Sequence, residues 1–274
     1  MCSRWASEVT RASGVDRRGF LTAGVGLMLG TPVLSAQQGG PSAAGREVIE
    51  DLVAANRILA MEGVLDAMGH VSIRHPARPD RYLLSRSLAP ELVTAADILE
   101  YDLDSRALDD GGRASYKERF IHGAIYRARP DVRAVVHCHT PSLIPFASST
   151  VPMRAMYHMA SFVAAGVPVW DIRDAIGVSD MLVSEGKAAA SLAGALGDRA
   201  AVLMRGHGAV VVANSLPNVV GRSVYLDVNA RAQVQAATLG GSVRGVAADE
   251  AKLRMSDPNE YGRAWELWRK KVGR

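Results

Sequence analysis

The sequence predicts a mixed α/β fold, and three observations carry that prediction. Short valine-rich runs alternate with longer stretches in which apolar residues recur every three to four positions, the signatures of strands and amphipathic helices. Glycine and proline punctuate them, as at Arg129-Pro130-Asp131 and Gly206-His207-Gly208. The 274 residues, 48% hydrophobic and 22% charged, fit one large domain or two small ones, and the order of elements favours one, with a helical C-terminal tail.

Residues 1–36 read as a targeting segment. Arg17-Arg18 precede a modest apolar stretch, 21–34, diluted by Ala23, Gly24, Gly26 and Gly30, which resembles a twin-arginine export signal. That stretch falls short of the about twenty residues that span a bilayer, so no permanent span is expected, and the protein would be periplasmic or exported, or cytoplasmic if the segment is not processed. Removing it takes four positive and two negative charges from a net +4, which leaves nothing basic enough to suggest a nucleic-acid partner. Cys2 leaves with it; Cys138 alone remains and no internal disulfide is expected.

Residues 37–45 have the composition of a linker. Val48, Ile49, Leu52, Val53 and Leu59 then recur at helical spacing and predict a helix over 46–62. Strands follow at 71–74, 82–84 and 98–103, a helix at 115–128, and a strand over 132–139. The second half predicts a strand at 167–170, a helix at 185–196, strands at 200–204 and 209–212, and a long helix over 216–239. Residues 46–240 form the body of the domain and 241–274 its helical tail.

Chemistry concentrates at the end of the 132–139 run. His137 and His139 stand two apart, so in a strand they share a face while Cys138 points to the other. A third histidine, His207, sits between two glycines that let the backbone turn tightly. Three imidazoles with one open position are the usual protein contribution to a catalytic divalent metal. Zinc, manganese, cobalt and iron all accept such ligands, with zinc or manganese the expected choice. Glu118 and His122, four apart on the preceding helix, share a face that can lean towards the metal. Glu118 reads as acid-base residue or displaceable fourth ligand. His122 reads as a brace for a ligand or as a packed helix residue.

The succession of Glu118-x-x-x-His122, Tyr126-x-x-x-Pro130, Ala134-Val135-Val136-His137-x-His139 and Arg205-Gly206-His207-Gly208-Ala209 resembles the class II aldolase/adducin family over about 46–239. The resemblance implies one three-layer α/β/α domain on a largely antiparallel sheet, a divalent metal on His137, His139 and His207, Glu118 as acid-base, and a homotetramer. The family's non-catalytic adducin branch lacks the metal histidines, which this chain retains.

Two departures bear on substrate. Where sugar-phosphate aldolases carry Gly-Asn-x-Ser and Ser-Gly phosphate loops, this chain has Gly69-His70-Val71-Ser72-Ile73-Arg74 and Ser85-Arg86-Ser87. A guanidinium in the second loop would fill phosphate space and suit a carboxylate. Together with Tyr157-His158-Met159-Ala160, these segments look like the family's decarboxylases of hydroxylated aromatic dicarboxylates. His70, Ser72, Arg74, Ser85, Arg86 and Ser87 are thus candidate substrate-binding residues, with Arg86 and Arg74 on a second carboxylate. His158 is a candidate acid beside Glu118, and Tyr225, with His122, a candidate support. The leading expectation is a metal-dependent lyase that decarboxylates a small hydroxy-aromatic carboxylate. An aldolase on an unphosphorylated hydroxy-keto acid and an exported metal-retaining binding protein are the alternatives.

Overall fold

The computed structural model describes residues 43–240 and 242–273. The expected export segment and all but the last three residues of the 37–45 stretch lie outside the described residues. Those last three are already helical, because α1 runs Ala43–Met61. The remaining elements are β1 (His70–Arg74), β2 (Arg81–Ser85), β3 (Ile98–Asp102), α2 (Phe120–Ala128), β4 (Ala134–Cys138), α3 (Ile144–Ala147), β5 (Val169–Trp170), α4 (Ile172–Ile176), α5 (Gly186–Leu196), β6 (Ala201–Met204), β7 (Gly208–Ala213), α6 (Leu216–Thr238), α7 (Ala248–Arg254) and α8 (Gly262–Val272).

The strands form one sheet in the order β3-β2-β1-β4-β7-β6-β5. Every pairing is antiparallel except β5 with β6, so the sheet is largely antiparallel but mixed. At its centre β4 and β7 are buried along their whole length, which explains why they read as continuous valine and alanine runs rather than alternating ones.

The pleat divides these residues between two cores. Val136, Cys138 and Val211 face a layer built from α1, α6 and α8, among them Leu52, Ile58, Val220 and Trp265. Val135, Val210 and Val212 face α2 and α5, through Ile121, Ile125 and Leu192. Helices therefore cover both faces, giving the expected α/β/α sandwich. The C-terminal tail is held by Trp265 and Trp268 in the first core, where truncating either would cost about 3–5 kcal/mol. Among the described residues no helix is long and apolar enough to cross a membrane.

One boundary matters for function. The stretch expected as a helix over 115–128 starts as a 3-10 turn, Lys117–Arg119, and becomes α-helical only at Phe120. Tyr116 before it is extended, at φ −58° and ψ 140°. Glu118 thus lies on the turn that delivers the chain into α2, not on the helix itself.

Candidate metal centre

His137 follows Val135 on the α2 face of β4, opposite His70 of β1 in the antiparallel register. His139 is one residue past the strand end. His207 occupies the turn between β6 and β7, closed by its N–H donating to the Met204 carbonyl at 3.0 Å. Gly206 adopts φ +62° there, and at Gly208 a Cβ would overlap the Cys138 carbonyl of the adjacent strand. The two glycines are what let β7 press against β4 and bring His207 beside His139.

Glu118, His137, His139 and His207 each offer one ligand atom, all within 4.8 Å of one another. His139 Nε2 lies 3.1 Å from His137 Nε2 and 3.2 Å from His207 Nε2. Glu118 Oε2 is 3.4 Å from His137 Nε2 and 3.5 Å from His207 Nε2. Ligands about 2.0–2.1 Å from a shared divalent ion stand roughly 3–4 Å apart, so these four separations suit a common ion.

The hydrogen bonds behind the ring fix the tautomers. His137 Nδ1 faces the Ala209 carbonyl at 3.2 Å and must donate; His139 Nδ1 donates to the Asp66 carboxylate at 3.2 Å. In the neutral rings both Nε2 atoms then carry lone pairs aimed at each other. A cation between them resolves that conflict, and the donor set fits a divalent metal.

Glu118 is buried, at 7% exposure. Its Oε1 accepts from the Val183 N–H at 2.9 Å. Burial pushes its carboxyl up, but the neighbouring His137 and His207 outweigh this and hold it well below the usual carboxylate range. Asp66 is also held low: its partial burial acts upwards, and is outweighed by the amides of Met68 and Gly69 and by His139.

The cluster opens into a cavity of about 640 Å³ lined by His70, Ser87, Tyr116, Lys117 and Glu118 on one side and by Met68, Met181 and Leu182 among the apolar residues. Met181 has φ +69°, a strained backbone for a non-glycine residue and one commonly found at functional sites. A comparably large cavity, about 670 Å³, lies away from the cluster beside Phe146, Pro152 and Val234 and contains no histidine or carboxylate.

The other expected site residues separate. His70 reaches the cavity, is 1% exposed, and shares a 2.7 Å hydrogen bond between its Nδ1 and His122 Nε2. His122 in turn meets Ser72 Oγ at 2.6 Å, and Ser72 meets the Tyr126 hydroxyl at 2.8 Å. His122 therefore braces His70 and not a metal-cluster histidine, and Ser72 lies beneath the cavity wall. Burial, with neighbouring histidine charge, lowers His70 well below its usual range and His122 to about 3.

Arg74 is corrected from substrate ligand to structural clamp. It is 3% exposed, and its guanidinium donates to the carbonyls of Val132, Pro79, Tyr126 and Arg129. Arg86, expected on a second carboxylate, donates its Nε to Asp97 Oδ1 at 2.6 Å and is not among the residues lining the cavity. Its neighbour Ser87 does, while Ser85 is buried against the Tyr116 hydroxyl at 3.3 Å.

His158 and Tyr225 belong to the other layer. His158 is exposed at the head of a 3-10 turn packed on α6 and α7, and Tyr225 stacks on Tyr261 at 5.5 Å. The sheet stands between them and the cluster, so within one chain neither serves it.

Sequence reasoning missed Asp66, Tyr116, Lys117 and Met181. Asp66 had a signal: an aspartate three residues before a glycine can close a turn on that glycine's amide, as it does at 2.8 Å on Gly69.

Residues 50–234 match the family described as class II aldolase and adducin N-terminal domain. The chain is 32% identical to the decarboxylase tropJ of Talaromyces stipitatus, over 82% of this chain and 93% of that protein. It is 32% identical to a 3,4-dihydroxyphthalate decarboxylase of Rhodococcus jostii, over 80% and 91%. Its fold superposes on an aldolase II superfamily protein from Pseudomonas syringae with a TM-score of 0.71 at 22% identity, covering 84% of this chain and 94% of that one. On this match and on the shared architecture, the chain belongs to the class II aldolase and adducin family, as an enzyme of its lyase branch.

Proposed function

We propose that the protein decarboxylates a hydroxylated aromatic carboxylate at a divalent metal, zinc or manganese, held by His137, His139 and His207 with Glu118 alongside. The observation that carries this reading is the convergence of three imidazole lone pairs and one buried carboxylate on the floor of an open cavity. Relatives named as decarboxylases support the reaction type.

When bound, the metal supplies Lewis-acid stabilisation for an oxygen anion. The chain's own groups do the proton work. Glu118, held ionised, is placed to take the proton of the substrate hydroxyl and return it to the ring carbon that bears the carboxylate. The carbon–carbon bond to that carboxylate then breaks. Carbon dioxide leaves, the bond's electron pair returns to the ring and its oxygen, and solvent supplies the final proton. The Val183 N–H fixes one carboxylate oxygen, so the other alone swings between hydroxyl and ring carbon. Met181 and Leu182 offer the ring an apolar wall.

The test is product analysis of metal-loaded protein incubated with 3,4-dihydroxyphthalate and with unphosphorylated hydroxy-keto acids. Carbon dioxide release that is lost in Glu118→Gln is expected. Aldehyde release from the keto acids without carbon dioxide from the aromatic acid would replace this reading with an aldolase.

A further inference from the structure

Among the described residues lining the cavity above the cluster, Lys117 is the only lysine or arginine, and its ammonium makes no hydrogen bond or ion pair. The cations around it are all engaged. Arg86 is on Asp97, Arg113 on the carbonyls of Asp110 and Ala96, and Arg119 on those of Ser105 and Tyr116. The cavity's acids are engaged too, Glu118 with the histidines and Asp66 with His139. An ammonium on a flexible stem rooted one residue from Glu118 therefore faces the cavity with no counter-ion from the protein.

Phosphate is a poor match for that vacant charge. A phosphate loop works through backbone amides that close on the dianion, yet here the Arg86 N–H donates to the Asp97 carbonyl and the Ser87 N–H to the Ala114 carbonyl, both at 2.7 Å. What remains is one ammonium and the Ser87 hydroxyl, a complement suited to a single negative charge.

We infer that Lys117, with Ser87, is the subsite for a carboxylate that the substrate keeps, so that the substrate is an aromatic dicarboxylate with one carboxylate at the cluster and one at Lys117. The inference rests on the decarboxylase reading for the first carboxylate, and places the second on a cavity-lining residue, which neither Arg86 nor Arg74 is.

Calorimetric titration of zinc-loaded protein with 3,4-dihydroxybenzoate and with catechol tests it, because the two differ only in the carboxylate assigned to Lys117. Wild type is expected to bind 3,4-dihydroxybenzoate about tenfold to a hundredfold more tightly, the usual worth of a charged hydrogen bond. Lys117→Met should erase the preference while leaving catechol affinity unchanged, and Lys117→Arg should retain most of it. No preference in wild type, or a preference that survives Lys117→Met, would overturn the assignment. Displacement of 3,4-dihydroxybenzoate by equimolar inorganic phosphate would overturn the choice of carboxylate. Since nothing turns over in these titrations, their outcome is separable from whether 3,4-dihydroxyphthalate releases carbon dioxide.

Discussion

Asp66 holds the imidazole of His139 from behind, with its two carboxylate oxygens 3.2 and 3.3 Å from Nδ1. That contact fixes the ring's tautomer and raises the basicity of the nitrogen that faces the cluster. Asp66→Ala is therefore expected to weaken metal binding about 10- to 100-fold, read by competition against a calibrated chelator. Unchanged affinity would mean that His139 is oriented by packing alone.

Glu118→Gln keeps an acceptor for the Val183 N–H but cannot carry a proton between hydroxyl and ring carbon. We expect kcat to fall about 10²- to 10⁴-fold, with metal content by mass spectrometry preserved by the three histidines. A variant that loses metal in step with activity would assign Glu118 to ligation rather than to proton transfer.

Arg74→Ala should act on stability. Four carbonyls lose their donor, and the cost is expected to be about 3 kcal/mol, measured by urea unfolding. The KM of whatever remains folded should stay near wild type. A rise in KM at unchanged stability would return Arg74 to the substrate.

Acid stability follows from His122, whose ring is brought down to about 3 by burial first and by the charge of His137 second, with Glu118 acting in the opposite sense. Because the folded value lies below the unfolded one, the unfolded chain binds the extra proton between about pH 6.5 and 3. Stability is therefore fully present above that window and is lost as pH falls through it. In metal-free protein, His122→Gln should flatten the fall between pH 6 and 4 by up to about 2.7 kcal/mol. Parallel curves for the two proteins would refute this.

How much of this was legible in the sequence depends on the range over which each residue acts. The run ending in His137 was readable because strand period and burial are local, and His207 because its two glycines announce a tight turn. The 3-10 turn under Glu118 was not, since three residues carry too little periodicity to separate it from the α-helix that follows. The contact of Arg86 with Asp97 was not legible because Asp97 also caps a neighbouring turn through Thr94 and looks locally committed. Arg74 looked available because the four carbonyls it serves come from chain segments that only the folded sheet gathers. Lys117 was passed over for the opposite reason: a lysine beside a glutamate reads as solvated surface until its neighbours are seen to be engaged.

Cys138 sits between two of the cluster's histidines in sequence, and the pleat turns it into the core beneath α1 and α6, where burial pushes its thiol up. A thiolate is the ligand that would draw soft ions such as cadmium or mercury to this strand. By hiding sulfur one residue away, the sheet presents an entering ion with nitrogen and oxygen alone. It also shields the thiol from peroxide, so oxidative stress and thiophilic metals are both denied a foothold at a site whose sequence invites them.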